Sequence, residues 1–204
     1  GWRVRGATLA AQGSLGNALE GLDAPRLLPF FMAEGWFTRV ELARRLKALG
    51  ATNLARLPAF GHLPDMPRLC ARAALDGIEE AGLDPRKTSL VLAAHGSQIS
   101  RASAEGARAM AAVLGRLGPF ARVLTGFVEE EPFLFQAARG LGPAICLPFF
   151  ALRASHVAED VPDALEAAGF RGPLLPAIGE HPGVPAILAA ALAQHSGPLQ
   201  SQSD

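Results

Sequence analysis

LLPFFMAEGWFTRVELARRLKALG (27–50) recurs as CLPFFALRASHVAEDVPDALEAAG (146–169) at a constant offset of 119 positions. A chain that carries one pattern twice folds, to first order, as two copies of one unit. The match continues from LPAFGHLPDMP (57–67) to LPAIGEHPGVP (175–185) after a one-residue gap. Upstream, WRVRGATLAAQGSLGNALEGL lies over ARVLTGFVEEEPFLFQAARGL at the same 119 offset. The prolines and glycines that coincide (29/148, 50/169, 61/179, 64/182, 67/185) mark turns, where chance identity is least expected. We therefore expect two repeats, residues 1–84 and 85–204, joined near Asp84-Pro85. The second repeat has an extra leading segment, 87–120, with no counterpart in the first. With no initiator methionine, the expectation is an N-terminal repeat that is incomplete at its start.

Within each repeat, short apolar runs alternate with helical patterns. The strand-like runs are Arg3–Leu9, Arg26–Phe31, Leu54–Ala59, Ser89–Ala94, Arg122–Val128, Ala144–Phe149 and Pro173–Ile178. Most are apolar nearly throughout, as parallel strands covered on both faces are. In VELARRLKALG, Leu42, Leu46 and Leu49 share one helical face, and in EGARAMAAVLGRLG so do Met110, Val113, Leu114 and Leu117. The predicted class is α/β, with mainly parallel sheets and helices on both faces. Half the 204 residues are hydrophobic, enough for a sizeable core. Nineteen basic residues balance nineteen acidic ones, against the basic excess of a general nucleic-acid binder. Cys70 and Cys146 have neither disulfide-framework nor zinc-site spacing. No apolar run is long enough for a membrane span, and the start has no signal-peptide pattern. A cytoplasmic protein without nucleic-acid or membrane partners is expected.

Three predicted strand ends carry polar residues, and all three lie in the second repeat. LVLAAHGS (90–97) ends in His95-Gly96-Ser97, and open α/β sheets place ligands at the carboxyl ends of their strands. A histidine there also serves as a hydrogen-bonded structural residue. FVEEEP (127–132) ends its strand in Glu129, Glu130 and Glu131, which the first repeat replaces by Ala10, Ala11 and Gln12. An acidic run of this kind is also a solvated loop. LPFFALRASHVAEDVP (147–162) places His156 at a helix start with Asp160 four residues on, facing the same side. The first repeat has Phe37 and Glu41 in those columns. Two imidazoles and a carboxylate suit a divalent transition metal, and they suit proton removal near neutral pH. Arg101, Arg108 and Arg153 lie near the same rim, where they meet either solvent or ligand carboxylates. His62, His181 and His195 read as surface residues.

These three motifs, in this order and spacing, resemble the sirohydrochlorin chelatase family of the CbiX/SirB type. The resemblance covers the second repeat almost fully and the first as a degenerate copy. It implies two α/β domains facing across a cleft and insertion of Fe2+ into sirohydrochlorin, the last step to sirohaem. The alternatives it leaves are Co2+ insertion in anaerobic cobalamin synthesis and a non-catalytic tetrapyrrole or metal carrier. By the resemblance, His95, His156 and Glu129 are the catalytic and metal-handling residues, with Glu131 a competing register for Glu129. Ser97, Arg101 and Arg153 are the substrate-binding candidates. The metal is a substrate, and no permanently bound cofactor is implied. Phe30, Phe31, Trp36, Phe149 and Phe150 are candidates for an apolar wall against the macrocycle, or else core. Ala154 departs from the family, which often has glycine there, as the first repeat does at Gly35. A histidine phosphatase would need arginine directly before the strand-end histidine, where this chain has Ala94.

Overall fold

Ser89–Ala94 is an unbroken run of apolar residues closed by His95, and every residue of it is buried. It is the central strand of a computed structural model that describes residues 3–98, 101–153 and 156–194, with the side chain of His156 outside that description. The helices and strands in chain order are α1 (Ser14–Leu19), β1 (Arg26–Leu27), α2 (Leu42–Ala48), β2 (Ala55–Arg56), α3 (Met66–Glu80), β3 (Ser89–Ala94), α4 (Ala102–Leu117), β4 (Arg122–Phe127), α5 (Leu134–Ala138), β5 (Ala144–Pro148), α6 (Val161–Ala167) and α7 (Val184–Gln194).

β3 pairs in parallel on both edges, giving the order β4-β3-β5. Ser89 lies opposite Arg122 and Ala144, and Ala93 opposite Gly126 and Pro148. A further parallel bridge joins Cys146 to Leu174. Strand residues alternate between faces, and β3 feeds two layers. Leu90, Leu92 and Ala94 join a large core with Ala104, Ala107, Met110 and Leu114 of α4. Val91 and Ala93 join a second core with Leu134 of α5 and Val161 and Leu165 of α6. That two-sided burial is why these strands read as continuous apolar runs.

The large core also contains Leu57, Phe60, Leu63, Met66, Leu69, Ala74 and Ile78 from the first half. α3 thus packs against the second sheet, close enough that a Cβ on Gly77 would meet Leu175 at 2.5 Å. In return Arg26 of β1 donates to the carbonyl of Leu192 in α7 at 3.1 Å. The first sheet is only β1 beside β2, with a small core of Leu15, Leu42 and Leu46. Elements of the two halves nonetheless fall in register. β1 and β2 pair Leu27 with Arg56, and 119 and 118 positions later Cys146 bridges Leu174. Five-residue π-helical turns, Phe37–Glu41 and His156–Asp160, lead into α2 and α6. Gly50 and Gly169 follow these helices at φ +68° and +66°, a conformation glycine adopts without strain.

Several expected elements differ. Arg3–Leu9 is not a strand, and Val4 is 78% exposed. Its counterpart β4 is ordered by pairing with β3, whereas among the described residues no strand lies beside Arg3–Leu9. β-propensity without a neighbour to pair with does not make a strand. Pro173–Ile178 contributes a single bridge and then turns into a 3-10 helix at Ile178. Leu49 and Leu117 are about half exposed because each falls at the end of its helix, beyond the covered face. Among the described residues no helix is long and apolar enough to cross a membrane.

Two contacts make testable claims about stability. Gly179 donates to the carbonyl of Phe150 at 3.0 Å, and a Cβ on it would lie 1.8 Å from the carbonyl oxygen of Ala151. Gly61 stands in the same relation to Phe31 and Met32. Gly179→Ala should therefore destabilise the protein by roughly 1–3 kcal/mol, as overpacking does, read from urea unfolding. An unchanged unfolding midpoint would mean that the two turns separate without cost. Separately, Glu41 is held down to about 2 from 4.5 by hydrogen bonds from Arg44 and then Arg45. Arg45 also donates to the Leu9 carbonyl at 2.5 Å, tying the N-terminal segment to α2. A depressed carboxyl contributes stability above its unfolded pKa and loses it as pH falls toward the folded one. Glu41→Gln should lower Tm near neutral pH, and the gap to the parent should narrow from pH 4.5 toward pH 2. A gap independent of pH would overturn the ion-pair account.

Candidate functional site

The carboxyl ends of β3, β4 and β5 form one rim, since the strands are parallel and in close register. At the first of them the chain leaves β3 through His95, Gly96 and Ser97. Gly96 has φ +71°, and a Cβ there would come within 2.8 Å of Glu130 Cγ and 3.0 Å of Phe127 Cβ. Both the backbone conformation and the space exclude a side chain at this turn.

The β3–β4 ladder runs past Phe127. Val128 donates to the carbonyl of Ala94 at 3.1 Å and Glu129 to that of His95 at 3.0 Å. That pairing sets Glu129 beside His95, with Oε2 3.6 Å from Nδ1. The separation is an ion-pair distance rather than a hydrogen bond. Both side chains are about 40% open to solvent. His95 Nδ1 also lies 3.0 Å from the carbonyl of Gly96. From the third strand end, the buried ring of Phe150 stands 6.5 Å from the imidazole.

The three carboxylates of the acidic run do different things. Glu129 faces His95. Glu130 turns to the other side, where its Oε1 accepts from the Ser97 amide at 2.8 Å. Arg108 of α4 reaches the same region, with Nη2 3.9 Å from Glu130 Oε2 and 3.2 Å from the Glu131 carbonyl. Its guanidinium lies over the Phe127 ring at 4.9 Å. Glu131 is exposed. Ser97 meets Glu130 through its backbone, and Arg101 is exposed at the start of α4. Arg153 is exposed too, and its backbone amide donates to Glu180 at 3.3 Å.

His156 opens the π-helical turn whose far end is the exposed Asp160. Its side chain, and with it the expected pairing with Asp160, lies outside the described residues. Among the described residues no three His, Cys, Asp or Glu side chains gather as a metal would need. His62 is exposed, as expected, and His181 accepts from the Gly183 amide at 2.9 Å within its own turn. His195 lies outside the described residues. Cys70 and Cys146 are buried and far from solvent, and burial pushes both thiols up to about 12.

The equivalent turn of the first half is aromatic. Phe31 stacks on Phe37 at 6.4 Å, and Trp36 meets Phe37 edge-on at 5.2 Å. Trp36 and Phe37 are 57% and 56% exposed, unusual for rings of this size. The segment between Phe31 and Trp36 borders α4, since Ala33 and His62 lie about 4 Å from a Cβ placed on Gly106. Phe149 and Phe150 are core, and Phe30 stacks on buried Phe60 at 4.2 Å. The exposed ring of Phe37 was not among the residues singled out for an apolar wall. Its position in the column of His156 was the available signal. A hollow of about 500 Å³ at the end of α6, lined by Leu165, Glu166, Arg171 and Leu174 among others, includes neither His95 nor Glu129.

A family model described as CbiX matches residues 89–195. The span begins at β3 and includes all three strand ends of the rim. The chain belongs to the CbiX family. A solved structure of CbiX, described as the terminal enzyme for biosynthesis of siroheme in denitrifying bacteria, is 45% identical. The match covers 96% of this chain and 84% of that one, with a TM-score of 0.86. A second similar structure is DR2241 from Deinococcus radiodurans, described as a multi-domain protein with structural similarity to chelatases. It is 26% identical over 84% of this chain and 41% of that one, with a TM-score of 0.68. SirB from Bacillus subtilis, solved with Fe3+, shares the fold at 12% identity, over 92% of this chain and 78% of that one, with a TM-score of 0.67. A comparison with curated proteins returns no match.

Proposed function

We propose that this CbiX-family chain is a sirohydrochlorin chelatase that inserts Fe2+ into sirohydrochlorin to form sirohaem. The observation that carries the reading is the His95–Glu129 pair, 3.6 Å apart on the carboxyl rim, in a chain 45% identical over nearly its whole length to a CbiX of siroheme biosynthesis. Iron is preferred to cobalt on that relative's described role, because imidazole and carboxylate donors suit either metal.

Metallating a macrocycle requires a hydrated cation to lose water and two pyrrole N–H groups to lose protons. In the proposed mechanism His95 and His156 hold the incoming cation, or take the protons, while Glu129 balances its charge. Partial exposure of His95 and Glu129 leaves them open to a cation arriving from solution. Repeats 1–84 and 85–204 form two lobes with the macrocycle between them. The second lobe supplies the polar residues, and the first supplies an apolar wall of Phe31, Trp36 and Phe37. Rings presented to solvent in such a cluster suit the flat face of a tetrapyrrole. Ser97, Arg101 and Arg153 lie where the substrate's peripheral carboxylates need donors. We place the reaction in the cytoplasm, with the metal as substrate and no resident cofactor.

Anaerobic absorbance of sirohydrochlorin with Fe2+ tests this directly. The protein should accelerate the spectral conversion, and His95→Ala or Glu129→Gln should each lower kcat by about 10- to 100-fold. Binding of sirohydrochlorin without acceleration would make the protein a carrier instead, and faster conversion with Co2+ than with Fe2+ would reverse the choice of metal. Trp36→Ala and Phe37→Ala should raise KM by about 3- to 10-fold and leave kcat nearly unchanged. A fall in kcat with KM constant would remove these rings from the binding wall.

A further inference from the structure

We propose that Glu130 is a positioning residue that acts on His95 by gripping the Gly96–Ser97 turn, and is not itself a metal ligand. The proposal rests on the reading of His95 and Glu129 as the metal-handling pair.

Three consecutive carboxylates at a strand end look interchangeable, but in the bend that follows β4 they meet different partners. Glu129 is 42% exposed and faces His95, whereas Glu130 is 22% exposed and faces the turn beyond His95. Both of its oxygens have partners. Oε1 takes the Ser97 amide at 2.8 Å, a charge-assisted bond, and Oε2 lies 3.9 Å from Arg108. Its methylenes press on Gly96, where a Cβ would be only 2.8 Å from Cγ. Glycine at 96 is therefore a condition for Glu130 to reach Ser97.

Arg108 completes the arrangement. It donates to the Glu131 carbonyl, approaches the Glu130 carboxylate and lies on the Phe127 ring, so α4 braces the acidic loop near both of its ends. His95 is then held from two directions. Its carbonyl is fixed by the Glu129 amide on the strand side, and the residue two positions on is fixed by Glu130. A cation reaching this rim meets the carboxylate of Glu129, while the charge of Glu130 is engaged by an amide and a guanidinium. That keeps two adjacent carboxylates from closing on the ion together, which a protein that must pass its metal onward has reason to avoid.

The test uses the full chain with Co2+ as probe, titrated by visible absorption, together with hydrogen exchange at the Ser97 amide measured by NMR. Glu130→Ala should speed Ser97 exchange at least about tenfold and weaken Co2+ binding about tenfold. Glu130→Gln keeps an acceptor oxygen at the same reach, so Ser97 stays protected and Co2+ affinity should remain within about threefold. Glu130→Asp keeps the charge but is one methylene shorter, and should behave like Glu130→Ala. It serves as the decisive variant if the alanine protein does not fold. Where the wild type metallates sirohydrochlorin, Glu130→Ala should lower kcat with KM held within about twofold. Weak Co2+ binding by Glu130→Gln with Ser97 still protected would make Glu130 a ligand and overturn the proposal. Unchanged exchange and affinity in Glu130→Ala or Glu130→Asp would overturn it as well. Neither the exchange nor the Co2+ readout needs the tetrapyrrole, so a wild type that fails to metallate sirohydrochlorin would sink the chelatase reading alone.

Discussion

Pairing of β3 on both edges is the constraint from which the rest of the second half follows. Its six residues are all buried, and alternate ones feed cores on opposite faces of the sheet. A slip of one residue would exchange those faces and move Leu90 and Leu92 from the α3–α4 layer to the α5–α6 layer. The same ladder brings the candidate pair together. Because Ala94 lies opposite Phe127, the Glu129 amide just past the ladder reaches the His95 carbonyl, and two groups 34 positions apart in sequence become neighbours. Neither residue needs a special loop to find the other.

The first half shows what remains when that pairing is missing. β1 and β2 contribute two residues each, and the segment matching β4 is exposed and irregular. Yet the turns survive. The π-helical entry to α2, the glycine after it, and the close approach of Gly61 to Met32 all have counterparts 118 or 119 positions on. These are short-range features fixed by local backbone geometry, so they persist where the long-range ladder does not. The first half keeps its place by lending α3 to the large core and receiving α7 against β1. Its stability is thus tied to that of the second half.

This difference also explains what the sequence made legible. Strands covered on both faces announced themselves as apolar runs, and β3 was readable to the residue. Arg3–Leu9 carries a similar pattern but, among the described residues, no partner strand to order it. The neighbourhood of His95 and Glu129 was legible too, because polar residues follow two apolar runs just past the ends of β3 and β4. The division of labour within Glu129, Glu130 and Glu131 was not. It depends on which side each carboxylate takes relative to a turn 33 residues away, and composition carries no trace of that direction. The role of Gly96 was half legible. A tight turn was foreseeable, whereas the contact with Glu130 that forbids a Cβ was not.

Under the proposed function, the unequal halves suit a reaction in which one flat substrate meets two different surfaces. A cation enters a macrocycle from one face, and protons leave through the groups that receive the cation or through water beside them. The opposite face needs only to be covered and held. A second polar set there would compete for the same ion and draw it away from the ring. Apolar rings in that place compete for nothing and add binding area. Under the proposed function, Phe37 standing where the other repeat has His156 divides grip from chemistry. The aromatic side is left open to solvent, while the polar side is braced by Arg108, Glu130 and the strand ladder. Holding a broad apolar face tolerates small shifts in position, but delivering a metal ion does not.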